Sequence, residues 1–221
     1  RAINPAYGTI ADFAPVSAAL RARGMSLCVD LVLNHTAKEH AWAVKAKKGD
    51  PEYQDYYLMF DDDTEPNLYE RTLVEVFPDN APGSFTHYPE IGKWVWTTFN
   101  EHQWDLNWAN PQVFLEIVEI MMFLANKGID ILRLDAVAFM WKRLGTRCQS
   151  EPEVHVILRA LRAACRIACP SVLHLEEAIV APAEMLPYLG RGRHAGKEGN
   201  LDYHNSQMMQ FWSSISTPAT R

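Results

Sequence analysis

The sequence predicts an α/β fold in which helices cover a parallel β-sheet. Three short apolar runs indicate buried strands: Leu27–Leu33, Ile129–Leu134 and Ser171–Leu175. Helical patterns alternate with these runs along the chain. The long excursion over residues 35–108, between the first and second strands, is rich in Asp, Pro, Gly and aromatic residues. Loops of this length in a compact fold are usually functional.

Each predicted helix has recognisable ends. The first runs from about Thr9 to Arg23, where a glycine follows. The second opens at Asn110, a cap residue followed by proline in the first turn, and closes at Gly128. The third begins near Ser150 and ends before Pro170. The resulting order of helix, strand, helix, strand, helix, strand predicts the parallel sheet.

The large insertion after a strand favours a (β/α)8 barrel, because such barrels carry their active sites on the loops that follow the strands. A whole barrel needs ~250 residues. This chain has 221 residues, including the excursion, so we expect a partial barrel. A doubly wound sheet is the alternative, although no glycine-rich phosphate loop follows any of the predicted strands.

Composition excludes several classes of protein. The chain is 48% hydrophobic and 22% charged, as in folded globular proteins, and no apolar run approaches the ~20 residues of a membrane span. Its 27 acidic and 21 basic residues give a net charge of −6 without a long basic cluster, so we expect no nucleic acid partner. Its four cysteines lack the density of a disulfide scaffold and zinc-site spacing. We therefore expect a reducing compartment and a cytoplasmic location.

The chain begins at Arg1 rather than Met and stops after Thr217–Arg221 without a natural cap. We therefore expect an internal piece of a longer protein.

Charged residues stand at the end of the second predicted strand. Side chains alternate along a strand, so Ile131, Arg133 and Asp135 share one face, and Leu132 and Leu134 share the other. We expect the leucines to pack on the helices and the two charged residues to point into the barrel at its carboxyl end. A structural ion pair is the alternative to a role in the site.

The third predicted strand is followed by Glu176 and Glu177, which alternation sends to opposite sides. Only one of them can face the same cavity as Asp135. Two carboxylates at neighbouring strand ends suit glycoside hydrolysis, with retention if they are ~5–5.5 Å apart. Asn34 and His35, just past the first strand, add an amide and an imidazole at the same rim.

Four motifs resemble those of the α-amylase family of retaining glycoside hydrolases and transglycosylases. They are DLVLNH at Asp30–His35, QWDLN at Gln103–Asn107, DILRLDAVA at Asp130–Ala138 and HLEEAI at His174–Ile179. Further stretches, such as FPDNAPGSF, WVWTTFNEHQWDLNWANP and EEAIVAP, are similar to the amylosucrase branch of this family over nearly the whole chain.

The resemblance implies catalytic roles for three residues. Asp135 corresponds to the nucleophile, and Glu177, not Glu176, corresponds to the general acid/base. Arg133 corresponds to the cation beside the nucleophile, which keeps that carboxylate ionised.

It also implies binding roles. His35 would hydrogen-bond the glucosyl ring, while Phe77 and Phe99 match positions that line a sucrose pocket. The alternative for the two phenylalanines is the core of the excursion. The branch is not calcium-dependent, so we expect neither a metal nor another cofactor.

In the architecture that the resemblance implies, residues 1–35 and 110–221 supply about strands 3 to 6 of the barrel. Residues 36–109 form an inserted B domain that walls the pocket. The family's His-Asp motif would lie beyond Arg221, and a pocket-closing aspartate would precede Arg1.

The implied reaction is transfer of glucose from sucrose to an α-1,4-glucan end, with release of fructose. Val74 stands where some amylosucrases carry a chain-guiding arginine, which leaves the balance with hydrolysis open. The alternatives are a sucrose hydrolase and an α-amylase. A non-catalytic remnant is the least expected of the parent protein, since both carboxylates are present. The oligomeric state is open.

Overall fold

The computed structural model describes residues 5–178 and 180–216 of the chain. The termini that the sequence singled out, Arg1 and Thr217–Arg221, lie outside them, as does Ile179 of the fourth motif. The helices are α1 (Ile10–Arg21), α2 (Ala41–Lys47), α3 (Pro51–Gln54), α4 (Thr64–Glu70), α5 (Pro111–Asn126), α6 (Pro152–Ala168), α7 (Pro182–Met185) and α8 (Asn205–Ser216). The strands are β1 (Cys28–Val32), β2 (His35–Ala37), β3 (Met59–Phe60), β4 (Phe85–Tyr88), β5 (Lys93–Trp96), β6 (Gln103–Asp105), β7 (Ile131–Asp135), β8 (Leu173–Glu176) and β9 (Leu201–Asp202).

The main sheet has four parallel strands in the order β1-β7-β8-β9, which is their order along the chain. A doubly wound sheet would reverse its strand order at a switch point. The sequential order, with α5 and α6 between the strands, is that of a partial (β/α)8 barrel, so the predicted fold class is confirmed. The first three strands overlap the predicted runs: β1 lies within Leu27–Leu33, and β8 begins at Leu173, two residues after the predicted Ser171, and ends at Glu176. The two-residue β9 has no apolar run that predicts it.

Strand β7, the second of the three predicted strands, begins later than predicted, at Ile131 instead of Ile129. The N–H groups of Asp130 and Ile131 both donate to the carbonyl of Leu27, so the chain is still turning into the sheet there. The strand also extends through Asp135, one residue beyond the prediction.

The three predicted helices form with the expected ends. The Asn110 side chain accepts a hydrogen bond from the Gln112 N–H, which caps α5, and Pro111 occupies the first turn. After α5 the chain turns at Gly128 with φ +85°, where a Cβ would lie 2.4 Å from the Ser17 hydroxyl of α1. Position 128 therefore requires glycine for two reasons: the backbone has a positive φ, and a side chain would collide with Ser17.

Residues 36–109 build two small antiparallel sheets, one of β2 and β6 and one in the order β3-β5-β4. Aromatic side chains dominate their core, with Tyr56, Tyr57, Trp96 and Trp104 almost fully buried. The first of these sheets already includes His35, one residue before the expected boundary. The division into an inserted B domain and two barrel segments stays a prediction.

Among the described residues, no helix is both long and apolar enough to span a lipid bilayer.

Candidate active site

Arg133, in the inner strand β7 of the main sheet, is the centre of a charged cluster. Its Nη1 donates to Asp135 Oδ1 and to Asp30 Oδ1, both at 2.7 Å, and its Nη2 donates to Glu177 Oε1 at 2.5 Å. Its Nε donates to the Tyr203 hydroxyl at 2.8 Å. One guanidinium therefore holds three carboxylates from three strands or strand ends.

Strand alternation and register produce this cluster. Leu132 and Leu134 are fully buried on the other face of β7, as predicted, which leaves Arg133 and Asp135 on the face opposite to them. The parallel pairing sets Leu134 opposite Glu176, and the Glu177 N–H donates to the Leu134 carbonyl at 2.9 Å. The carboxyl of Glu177 therefore reaches Arg133 and Asp135.

The turn after the strand completes the arrangement. Ala136 adopts a left-handed conformation with φ 58°, and its N–H donates to Glu177 Oε2 at 3.3 Å. A non-glycine residue in this region carries strain that surrounding contacts must hold. The strained turn thus supplies a backbone donor to one of the two carboxyl groups.

The two carboxyls titrate in opposite directions. Burial raises the pKa of Glu177 to about 7, and its hydrogen bond with Asp135 and the charge of Asp135 add to the rise. Burial also acts to raise the pKa of Asp135, but hydrogen bonds from Glu177 and Arg133 outweigh it and lower that pKa below its usual value. At neutral pH the pair can therefore hold an ionised Asp135 beside a protonated Glu177, as a nucleophile and an acid require.

Asp135 and Glu177 accept hydrogen bonds from the two Nη atoms of the same guanidinium, which sets their carboxyl groups side by side. A separation of ~5–5.5 Å would give a retaining enzyme. Retention stays a prediction.

Glu176 lies on the other face of β8 and is completely buried. Within residues 5–178 and 180–216 neither of its carboxyl oxygens has a hydrogen-bond partner. Burial raises the pKa of Glu176 well above its usual value, and the nearby charges of Asp202 and Glu198 add to this. Glu176 is thus kept away from Asp135, which is the geometry that alternation predicts.

His35 is buried beside the charged cluster. Its Nε2 lies 2.8 Å from the Gln103 side-chain nitrogen, and its Nδ1 lies 3.4 Å from the Asn34 side-chain nitrogen. Burial lowers the pKa of His35, although the charges of Asp105 and Asp135 oppose the change. A neutral imidazole is therefore favoured at the rim.

Phe99 and Phe77, the two aromatic residues predicted to line the pocket, form a series of ring contacts that begins at His35. The ring centroid of Phe99 lies 5.2 Å from that of His35, and the ring of Phe77 lies 6.1 Å from that of Phe99. Phe99 also contacts Phe139, at 5.3 Å, in the turn after β7. Phe77 is 45% exposed, so it is not simply core of the excursion. The structure thus brings all six predicted site residues to one end of the sheet.

Sequence reasoning gave no role to Asp30 or Tyr203, which both contact Arg133. Asp30 pairs in register with Arg133, so aligning the two predicted strands by their carboxyl ends could have found it. Tyr203 follows the short strand β9, which gave no signal in the sequence.

Lys142 is a further residue that the sequence did not single out. Its Nζ lies 2.6 Å from Asp105 Oδ2, and both side chains are buried. The same carboxylate oxygen accepts from Asn34 at 2.9 Å and from the Thr98 hydroxyl at 2.6 Å. This buried network lies directly behind His35 and ties β1, β6 and the segment after β7 together.

Within the described part of the chain, no group of three or more His, Cys, Asp or Glu side chains is placed to hold a metal ion. That the reaction needs no cofactor stays a prediction.

Curated proteins of known activity are similar in sequence to this chain. A glucosylglycerate phosphorylase from Spirochaeta thermophila is 39% identical over 193 residues, which cover 86% of this chain and 31% of that protein. The trehalose synthase/amylase TreS of Mycolicibacterium smegmatis is 32% identical over 214 residues, covering 96% of this chain and 35% of TreS. This chain therefore spans about a third of the length of the curated relatives that it matches.

Solved structures of carbohydrate-active enzymes resemble this chain in fold. A mutant of MutB in complex with the substrate sucrose matches with a TM-score of 0.76 and 26% identity, covering 92% of this chain and 38% of that one. The isomaltulose synthase of Erwinia rhapontici NX5 matches with a TM-score of 0.76 and 25% identity, over 92% of this chain and 37% of its own. The family model "Alpha amylase, catalytic domain" matches residues 1–215. The chain belongs to the α-amylase family, glycoside hydrolase family 13.

Proposed function

We propose that this chain is part of a retaining glucosyltransferase that takes glucose from sucrose, releases fructose and extends an α-1,4-glucan, as amylosucrases do. The observation that carries the proposal is the Arg133 cluster. Arg133 contacts Asp135 and Glu177 at one rim, and the pKa of Asp135 is lowered while that of Glu177 is raised to about 7, which supports a nucleophile and an acid at these two positions.

In the first step, an Asp135 carboxylate oxygen attacks the anomeric carbon of the glucosyl unit. The bond to the fructosyl oxygen breaks, and Glu177 gives that oxygen its proton. The products are free fructose and a glucosyl ester on Asp135. Arg133 stabilises the carboxylate before the attack through its 2.7 Å hydrogen bond.

In the second step, the Glu177 carboxylate removes a proton from the 4-hydroxyl of a glucan end. The acceptor oxygen displaces Asp135 from the anomeric carbon, which restores the carboxylate and the original configuration. Water in place of the glucan gives hydrolysis by the same route.

Sucrose as donor rests on two supports. The sequence stretches quoted above resemble the amylosucrase branch. Solved relatives include MutB in complex with sucrose and isomaltulose synthases. We place the bound sugar against the aromatic series that runs from His35 through Phe99 to Phe77.

A second candidate is phosphorolysis, in which inorganic phosphate accepts the glucosyl unit. It is favoured by the 39% identity to a glucosylglycerate phosphorylase. Both candidates share the glucosyl ester on Asp135 and differ in the acceptor, and the name of that relative also points to glucosylglycerate in place of sucrose as the donor.

The test is incubation of the purified protein with sucrose, alone, with glycogen or with inorganic phosphate, while fructose, glucose, glucan and glucose 1-phosphate are followed. The variant Asp135→Asn is the control for chemistry at this site. Fructose in excess of glucose, with growing glucan, supports the transferase. Glucose 1-phosphate as the main product selects the phosphorylase. Equal glucose and fructose select hydrolysis. Unchanged fructose release by Asp135→Asn refutes the nucleophile.

A further inference from the structure

A basic groove lies between helix α6 and the loop over residues 190–200, away from the charged cluster at Arg133. Its cavity has a volume of about 410 Å3. The titratable side chains that line it are Arg159, Arg166, His194 and Lys197. Exposed apolar groups of α6, among them Val156 and Ala160, form its floor.

Only one of the three cations that line this groove has a carboxylate partner among the described residues. Arg159 pairs with the buried Glu198 at 2.7 Å, and Glu198 also contacts His155 at 2.8 Å. Within the part of the chain that the structure describes, no Asp or Glu lines the groove itself. Among the described residues, neither Arg166 nor Lys197 has a carboxylate within 4.0 Å. Two free cations thus converge on one concavity in a chain whose net charge is −6.

The pKa of His194 is affected by the positive charges around the groove. It accepts a hydrogen bond from Arg193 Nε at 3.1 Å. Burial lowers the pKa of His194, and the charges of Arg159, Arg193 and Lys197 lower it further, against the opposing effect of Glu198. Its neutral ring therefore adds no charge of its own to the groove.

Topology separates the groove from the catalytic rim. Helix α6 follows β7 and leads into the parallel strand β8, so it runs from the carboxyl end of the sheet back towards the amino end. Arg166 is in the last turn of α6 and thus lies towards the end of the sheet opposite to Asp135 and Glu177.

We propose that the basic groove is a binding site for a small phosphate monoester, whose phosphate is held by Arg159, Arg166 and Lys197. Guanidinium groups donate to phosphate oxygens in pairs, and an ammonium group adds a point charge. The cations surround one small cavity and do not form a long stripe, which favours a small ligand over a nucleic acid. The apolar floor favours an organic phosphate over inorganic phosphate.

The test measures binding of glucose 6-phosphate and of inorganic phosphate by calorimetry, with glucose as the neutral control. The groove variant is Arg166→Gln combined with Lys197→Gln. The matched control is Arg23→Gln combined with Lys48→Gln, which removes the same charge from exposed positions outside the groove. Removing two cation–phosphate contacts should weaken binding at least about tenfold in the groove variant and not in the control.

A spectroscopic readout locates the bound anion. In the wild-type protein, saturating glucose 6-phosphate should raise the pKa of His194, followed through its ring resonances, whereas glucose should leave it unchanged. Equal affinity of both double variants, or binding without a change at His194, overturns the proposal, because the phosphate is then held elsewhere, for instance at the catalytic rim. Binding of polyanions but of neither small phosphate also overturns it.

Discussion

At the scale of single residues, Arg133 determines how the carboxylates at the rim of the main sheet are paired. A buried or half-buried carboxylate is costly unless it is paired. Arg133 pairs with Asp30, Asp135 and Glu177 together. One cation cannot neutralise three carboxylates, so one of them keeps its proton most easily. Glu177, whose pKa is raised to about 7, is that group.

The adjacent glutamates should respond differently to the same substitution. Glu177→Gln removes the acid and should lower sucrose turnover by about 10²–10⁴-fold. Glu176→Gln should change it only a few-fold, because the raised pKa of Glu176 keeps it protonated and Gln has nearly its shape. Steady-state fructose release measures both variants.

Glucosyl fluoride provides the control, since its leaving group needs little protonation. The Glu177→Gln variant should form the glucosyl ester from it nearly as fast as the wild type does. A larger loss of turnover in Glu176→Gln than in Glu177→Gln would contradict the assignment of the acid.

The pKa of Glu177 also predicts how activity depends on pH. The acid form is needed for the first step, so kcat/KM for sucrose should fall as the pH rises above about 7. The two carboxyls are coupled, so the profile reports the pair. A profile that stays flat well above neutral pH, with Asp135→Asn as the inactive control, would refute a protonated Glu177.

The raised pKa of Glu177 also predicts how the stability of the folded protein depends on pH. A free Glu has a pKa of ~4.3, below the value of about 7 in the folded protein. The folded state therefore binds the proton more tightly. Its contribution to stability is complete below the unfolded pKa and is lost as the pH rises towards 7. In urea titrations, Glu177→Gln should remove this part of the pH dependence.

At the scale of elements, the pair of Lys142 and Asp105 joins the small antiparallel sheet of β2 and β6 to the main sheet. Asp105 ends β6, Asn34 follows β1, and Lys142 lies beyond β7. The ion pair is buried, with 5% and 0% exposure of the two side chains. Its loss would loosen the wall that holds His35.

Lys142→Met should destabilise the protein by about 3–5 kcal/mol, because it leaves the Asp105 carboxylate buried without its cation. The free energy of unfolding in urea measures the change. Lys93→Met is the matched control, since Lys93 pairs with the exposed Asp61 and should matter by less than about 1 kcal/mol. Adding Asp105→Asn to Lys142→Met should restore part of the loss. Equal effects of the two lysine variants would refute the role of the buried pair.

At the scale of the whole molecule, periodicity predicts the order of the main elements and the parallel sheet. The alternation of side chains along a strand also predicts that Glu176 and Glu177 point to opposite sides. Periodicity and alternation are readable in the sequence because each depends only on residues that are close together along the chain. Lys142 could not be predicted, since its partner Asp105 is 37 residues away and meets it only through tertiary packing. The same holds for Tyr203, which reaches Arg133 from a strand of two residues.

The last helix, α8, gives the molecule an exposed apolar surface. Met208, Met209, Phe211, Trp212 and Ile215 are 57–77% exposed along it. Contiguous exposed apolar patches favour association in water. The 221-residue chain should therefore associate as its concentration rises, and its mass by light scattering should exceed 25.2 kDa.

Trp212→Lys combined with Ile215→Lys should return the mass to that of one chain and reduce the binding of a hydrophobic dye. Tyr7→Lys is the matched control, because Tyr7 is 84% exposed but lies outside α8. It should leave association unchanged, since a single exposed aromatic ring is ordinary on a protein surface. A wild-type chain that stays monomeric at every concentration, or one that Tyr7→Lys dissociates equally well, would show that α8 does not drive association.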